Sequence, residues 1–523
     1  MIDNLKFREI RVMTDWNEGY VTDIGYVYEY QSELNPLKQQ LAFLNQRIAL
    51  PTISTACELG FGQGVSVNIH SAASDVEWWG TDFNPAQTNF AQTLGKASGK
   101  NIHLGDEAFA EFCQRDDLPD FDFISMHGIW TWISDENRAI IADFVRRKLK
   151  VGGVFFISYN TQPGWAGLMP LRNLLFEHSQ VMGASGQGVV ERVDAALNFT
   201  DALFATNPAY TRVNPMVIER FEGIKKQHRH YLAHEYFNKD WQPMLISDMA
   251  KWLSNSKVEY ACSANYLSHL DFINLTPEQK ELLAGIHDPI FKETVRDFIV
   301  NQQFRRDYWV KGGRKLTAHE QLEGIRKQRV ILTAHRSNIS LKTAGSLGEV
   351  TLSEEIYTPI LDVLSDYQIK SVEQIEKIVE PLGIDIGKVW QAVLVLAGSN
   401  AIAAAQDNAL IDKAKNHTEK LNLHIMNRAK YSAELEWIAS PVTAGGVKLP
   451  RFQLLFLSAY LQNHQQPVEW ANYVWQILVV QYQNVLIVGK MLETTEENLE
   501  ELTQQANVFA LEKLPVLKGL GII

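Results

Sequence analysis

Between Thr52 and Asn160, short apolar runs alternate with segments whose apolar residues recur at helical spacing. The pattern predicts strands over 54–60, 75–82, 101–106, 121–128 and 154–160, with helices over 63–74, 85–97 and 135–149 and a turn at 150–153. Strands joined by helices need crossover connections, so the segment predicts a parallel sheet covered on both faces. Ligands of such sheets bind beyond the carboxyl ends of the strands, and the residues just after each strand carry the chemistry.

After Pro163-Gly164-Trp165 the periodicity becomes helical, and 167–345 reads as a mainly helical middle domain. From 346 onward three short helical segments precede NAIAAAQ (400–406), which is compatible with a strand; three helices and such a β-hairpin make 346–523 expected to be winged-helix-like. The third of those helices has Lys388 as its one cation, which disfavours DNA reading. The apolar stretch from Trp475 to Gly489 is broken by Gln476, Gln481, Gln483 and Asn484, and no window has the run of about 18 apolar residues that a membrane span needs.

Composition narrows the classes. Apolar residues make up 46% and charged residues 21%, ordinary for a globular chain, and 523 residues require more than one core. The net charge of −12 opposes nucleic-acid binding. Cys57, Cys113 and Cys262 are far apart and lack metal spacing, and the first twenty residues lack a signal layout. The expectation is a soluble cytoplasmic protein without structural disulfides or membrane insertion.

The densest motif is Glu58-Leu59-Gly60-Phe61-Gly62-Gln63-Gly64, after the first strand and opening a helix. A dinucleotide fingerprint wants glycine where Val65 stands, and no Gly-Lys-Ser/Thr follows for a P-loop. Glu58 would repel a phosphate but attract the amino group of a methionine moiety, which points to S-adenosylmethionine. Asp82 ends the second strand 24 residues later, where a carboxylate can take both ribose hydroxyls. Phe83 and Glu107 flank the acidic strand ends. Asp106 ends the third strand, placed for an adenine amino group with Phe109 near the base; His127 and Gly128 end the fourth, beside the reactive methyl. The cofactor set is therefore Glu58, Gly60, Gly62, Gly64, Asp82, Phe83, Asp106, Glu107 and His127.

The segments ELGFGQG, GTDFNP, LGD, SMHGIWTWIS and SYNTQPGW, with HYLAHEYF (230–237) and FIVNQQFRRDYW (298–309), resemble class I methyltransferases that carry a methyltransferase regulatory domain. The rickettsial outer-membrane-protein lysine methyltransferases are similar in having a Rossmann-like core, a middle domain and a winged-helix-like end. The resemblance implies a protein lysine acceptor; no motif here specifies it. Expected domains are an N-terminal segment 1–45 on the substrate and cofactor side, a core 46–166, the middle domain 167–345 and the C-terminal part 346–523. A small-molecule methyltransferase with a lid domain and a SAM-binding regulator without turnover stay open, as does a homodimer.

Methyl transfer is an in-line displacement that needs alignment, exclusion of water and a deprotonated acceptor. Two aromatic segments could frame the acceptor: one with Tyr20, Tyr26, Tyr28 and Tyr30, the other with Tyr159, Asn160 and Trp165. The catalytic candidates are Tyr26, His127, Tyr159 and Trp165. His230, His234 and Glu235 lack the glutamate between the histidines that a zinc protease needs, so no metal is expected. From Arg305 to Lys342 ten basic residues face three acidic ones, which reads as a solvated surface or a docking face for an acidic partner.

Overall fold

The computed structural model describes residues 27–183, 186–487 and 489–523. The chain divides into two compact units, whose described parts are 166–242 and, for the other, 27–165 with 243–523.

The larger unit is built on a seven-stranded sheet. Its strands are β1 (Thr55–Leu59), β2 (Glu77–Thr81), β3 (Ile102–Gly105), β4 (Phe121–Met126), β5 (Leu149–Asn160), β6 (Glu259–Ser263) and β7 (Phe304–Val310). They run in the order β3-β2-β1-β4-β5-β7-β6. The first five are parallel, as the alternating pattern predicts, and β7 is antiparallel to both β5 and β6. The turn expected at 150–153 is instead the start of β5, which enters the sheet at Leu149 with a register irregularity between Phe121 and Phe123 of β4. Strands β6 and β7 lie inside the segment expected to be helical. Their short runs of mixed polarity, such as Arg305-Arg306-Asp307, hide the period of two that a sheet buried on both faces does not require.

The smaller unit is thus an insertion between β5 and β6. It contains the helices Met169–Val181, Val189–Ala205, Ala209–Val213, Met216–Lys225 and Arg229–Tyr236. Leu171, Leu175, Val193, Leu197 and Leu232 are buried in it. Arg172 donates to the Asn238 carbonyl and lies over the rings of Phe176 and Trp241.

Beyond β7 the larger unit continues with β8 (Arg329–Leu332), the hairpin β9 (Lys342–Gly345) and β10 (Gly348–Thr351), β11 (Lys370–Ser371) and β12 (Ile402–Ala404). Strands β11 and β12 pair antiparallel with the two sides of β8, and helices Glu354–Leu364, Val372–Val379 and Ile386–Gly398 pack together beside them. The 22-residue helix Asn408–Ala429 then lies on Val65–Ala73 and Pro85–Ser98, the helices that follow β1 and β2. Lys413 pairs with Asp75 at 2.8 Å and Gln406 donates to the Ala73 carbonyl at 2.7 Å. All nine residues of Val65–Ala73 are consequently buried, which an amphipathic surface helix never shows. Its polar side chains are only partly satisfied: Ser66 accepts from the Gln31 N–H, Asn68 donates to the carbonyls of Gly64 and Ala91, and His70 bonds Tyr30 at 3.0 Å, while Ser71 Oγ is buried without a partner.

The basic stretch is largely neutralised. Arg305, Arg306, Arg314, Arg326, Lys327, Arg329, Arg336 and Lys342 each have a carboxylate partner, and Lys311 donates to the carbonyls of Arg146 and Leu149. Paired surface cations project little field, which favours the solvated-surface reading over a docking face. Among the described residues no helix is long and apolar enough to cross a membrane.

Candidate active site

The register of the sheet lines up the strand ends. Leu59 pairs with Thr81, Thr81 with Gly105, Glu58 with Ser125, and Met126 with Ile157. Gly60, Asp82, Asp106, His127 and Ser158 therefore each stand one residue past a common row.

After β1 the chain turns through Gly60, Gly62 and Gly64 at φ 73°, 57° and 67°, conformations that favour glycine. Space is closed at Gly64 by a fixed neighbour and at Gly60 by the end of a side chain that can rotate. A Cβ on Gly60 would sit 2.8 Å from Ile129 Cδ1, and one on Gly64 would sit 2.4 Å from Ala91 Cβ. The loop is tied across to β2, since Gly60 N–H donates to the Thr81 carbonyl and Gly62 N–H to Asp82 Oδ2, both at 2.8 Å. No side chain caps the helix that begins at Val65, so its first N–H groups face the loop side.

Glu58 is buried at 3% exposure, and its Oε2 has no hydrogen-bond partner. Burial, and then the nearby Asp82 carboxylate, push its carboxyl up to about 8. Burial also lifts Asp82 to about 6, against the N–H groups of Asn84 and Gly62 that stabilise its charge. Asp106 is exposed, while Glu107 is half-buried and pairs with Arg115 at 2.7 Å. Phe83 is half-buried beside Asp82, and the ring of Phe109 lies 3.8 Å from where a Gly60 Cβ would be.

His127 sits over the end of β4 with Nδ1 3.1 Å from Ser158 Oγ, which also accepts the Gly128 N–H at 2.8 Å. Its ring packs parallel to Phe156 and edge-on to Phe304. Burial lowers the imidazole to about 4; Glu33 opposes that shift and Arg306 adds to it. Burial disfavours the Glu33 carboxylate, yet Lys38 at 3.4 Å, Arg306 at 3.8 Å and His127 together hold it at about 2. Glu33, Lys38, Arg306, Ser158 and Phe304 escaped the sequence reading. Glu33 and Lys38 precede the first strand, and Arg306 reaches the site because β7 pairs it with Ser158, a non-local match that no spacing announces.

The aromatic candidates divide. Tyr26 lies outside the described residues, as does Tyr20. Tyr28 packs edge-on to Phe90, and Tyr30 is core, bonded to His70 and set against Trp437. Tyr159 is fully buried on the face of β5 opposite Ser158 and donates to Asp307 Oδ2 at 2.9 Å, so its hydroxyl is committed within the core. Trp165 closes the short helix Gln162–Trp165 at 6% exposure.

Comparison with known proteins agrees with this geometry. Residues 228–311 match the family described as "Predicted methyltransferase regulatory domain". Protein sll1526 of Synechocystis sp. is 36% identical over 512 residues, 97% of this chain and 99% of its own length. Protein RP789 of Rickettsia prowazekii is 26% identical over 53% of this chain and 50% of its own. The structure of PKMT2 from Rickettsia typhi in complex with AdoHcy has the same fold, with a TM-score of 0.69 at 16% identity over 93% of this chain and 98% of that one. A parallel sheet with left-handed glycines after its central strand and acids at successive strand ends defines a class I S-adenosylmethionine-dependent methyltransferase. The chain belongs, with the Synechocystis protein, to the family that couples this core to a methyltransferase regulatory domain.

Proposed function

We propose that this methyltransferase modifies lysine side chains of a protein, with Glu58, Asp82 and Asp106 holding the amino group, ribose and adenine of S-adenosylmethionine. The observation that carries the cofactor assignment is the buried Glu58 Oε2, an acceptor without a donor at the mouth of the glycine loop. A cationic amino group is the donor it lacks. When bound, the cofactor supplies an electrophilic methyl group on a sulfonium.

The acceptor side is assigned to His127, Ser158, Glu33 and Arg306, with Trp165 as further lining; Tyr159 serves as a brace through Asp307. One carboxylate flanked by Lys38 and Arg306, next to a neutral imidazole, leaves a net positive surrounding. Such a surrounding favours a neutral amine over an ammonium, and the neutral amine is the nucleophile that methyl transfer from a sulfonium requires. The helices Glu354–Leu364, Val372–Val379 and Ile386–Gly398 with β8, β11 and β12 support a winged-helix-like reading of the C-terminal part. The proposed cofactor domain comprises 46–166 together with β6 and β7.

Incubating the enzyme with methyl-labelled cofactor and a cell lysate, then separating protein from metabolites, tests the acceptor class. Label in methyllysine after protein hydrolysis supports the proposal; label confined to metabolites overturns it in favour of a small-molecule acceptor.

Two results are expected at the cofactor. Asp82→Ala should weaken cofactor binding about ten- to a hundredfold, the loss of a hydrogen bond to a charged group at roughly 1.5–3 kcal/mol. Calorimetry finding unchanged affinity in the folded variant would remove the ribose role. Glu58 gives a pH signature. With its folded value near 8 and its unfolded value near 4.5, the free protein holds a proton that the unfolded chain lacks, so this group's contribution to stability falls as pH rises through that window. A cationic amino group selects the carboxylate, so cofactor affinity should rise with pH toward about 8 and binding should release a proton. Glu58→Gln should abolish both the release and the slope, read by calorimetry in buffers of different ionisation enthalpy.

A further inference from the structure

Arg305 and Arg306 are neighbours on β7, and strand alternation sends them to opposite faces of the sheet. Arg305 is saturated: its Nε donates to Asp307, its Nη1 to Asp297, and its Nη2 to Glu293 and the Tyr260 hydroxyl. Arg306 is not. Its backbone is fixed, paired with Ser158 of β5 and accepting the Ala264 N–H at 2.7 Å. Its Nε is buried 3.8 Å from Glu33 Oε1, beyond hydrogen-bond reach. Nη1 and Nη2 make no hydrogen bond to any described residue, and they keep accessible surface on a side chain that is 36% exposed.

The guanidinium has a defined place and plane. Its Cζ lies 5.1 Å from the centroid of the Phe304 ring, and His127 packs edge-on to the same ring with centroids 5.9 Å apart. Arg306, Phe304 and His127 therefore form one row on the acceptor side. Stacking on an aromatic face holds a guanidinium flat, so its two outer nitrogens project as a fork. The charges leave that fork uncompensated. Glu33 is one carboxylate shared by two cations, since Lys38 Nζ donates to it at 3.4 Å, and His127 is neutral through burial. Two cations and one carboxylate leave a single positive charge over, beside the nitrogens that bond nothing.

We propose that Arg306 is a specificity-determining residue whose Nη1 and Nη2 hold a carboxylate of the acceptor protein, from an aspartate or glutamate close in sequence to the methylated lysine. The inference rests on the reading of the acceptor as a protein lysine. A carboxylate fits the fork in shape, through two parallel N–H···O bonds, and in charge. A phosphate dianion would bring one charge more than the cluster balances and set it beside Glu33, and a cation would meet like charge. Gripping a neighbour of the lysine aligns the amine while leaving its lone pair free for the displacement.

The test labels a cell lysate with methyl-labelled cofactor, using the parent enzyme, Arg306→Gln and Arg306→Lys, and maps the methyllysines by mass spectrometry. The parent's sites should be enriched, over unmodified lysines of the same proteins, in an acidic residue within about three positions, roughly 10 Å of extended chain. Arg306→Gln should lower labelling of those sites by at least about tenfold, the scale of a lost charge-assisted hydrogen bond. Cofactor affinity, read by calorimetry, should match the parent's. Arg306→Lys, a cation without the fork, should fall between the two. In one mapped acceptor protein, exchanging the acidic neighbour for its amide should cost the same factor, and Arg306→Gln should then add little. That arm leaves the enzyme unaltered, so it is independent of how the variants fold. Methyllysines without acidic neighbours, or two losses that multiply instead of overlapping, would overturn the carboxylate contact and leave the protein-lysine reading standing. Absence of methyllysine from the parent reaction would bring down both.

Discussion

Replacing Arg305 with methionine is expected to lower stability by about 3–5 kcal/mol, the usual consequence of removing one partner from a buried ion network. The size follows from what remains. Asp297, Asp307 and Glu293 would face one another with no cation between them, the first two almost fully buried. Removing the whole network would cost far less, because paired charges in a low-dielectric setting barely repay their own desolvation. Arg305→Met combined with Asp297→Asn and Asp307→Asn should therefore recover part of the loss. The pH dependence has a definite sign. Asp297, at about 7 in the folded protein against about 3.8 unfolded, already holds a proton in the native state through that window, so its contribution to stability falls as pH rises. Without the guanidinium the window extends upward, and the variant should lose stability more steeply above neutrality. Urea unfolding at pH 5, 7 and 8.5 reads both effects; a loss under about 1 kcal/mol would mean that water, rather than Arg305, satisfies these carboxylates.

Gly64→Ala is expected to abolish measurable cofactor binding and to cost about 2–5 kcal/mol, from roughly 1–2 for the left-handed backbone and about 1–3 for overpacking. The added methyl would meet Ala91 Cβ at 2.4 Å, and that atom hangs directly from the backbone of the helix Pro85–Ser98, so no side-chain rotation relieves it. Either the glycine loop or the helix must shift. Gly152 supplies the control, since its φ is 85° but nothing lies within 4 Å of its Cβ position. Gly152→Ala should lose only the backbone part and should bind cofactor as the parent does. Equal losses in the two variants would show that crowding against Ala91 is unimportant.

What the sequence made legible was local. The glycine loop, the acids after β2 and β3, and the five parallel strands announce themselves through spacing and through the switch between apolar runs and helical periods. What stayed hidden was long-range pairing. Arg305 and Arg306 read as two members of a basic stretch, yet strand alternation sends one into a carboxylate cage and the other toward Glu33. Tyr159 read as an aromatic near the acceptor because it leaves a strand near its end; its register opposite Arg305 makes it part of the core instead. Glu33 carried no signal, since its meaning depends on Arg306 and His127 arriving from two other parts of the chain to join the neighbouring Lys38.

The helix Val65–Ala73 bears on how the protein is made. Its Val65, Ile69, Ala72 and Ala73 belong to a cluster that also includes Ile411, Leu421 and Leu520, hundreds of positions later in the chain. Domains usually fold as they leave the ribosome, early segments first. Here the glycine loop and its helix emerge early, but the residues that roof the helix are translated several hundred positions later. A nascent chain that has emerged only as far as β7 holds every strand of the sheet and still exposes Val65, Ile69 and Leu94 to water. Burial of the helix that follows the glycine loop therefore waits for Asn408–Ala429, the helix that lies on it.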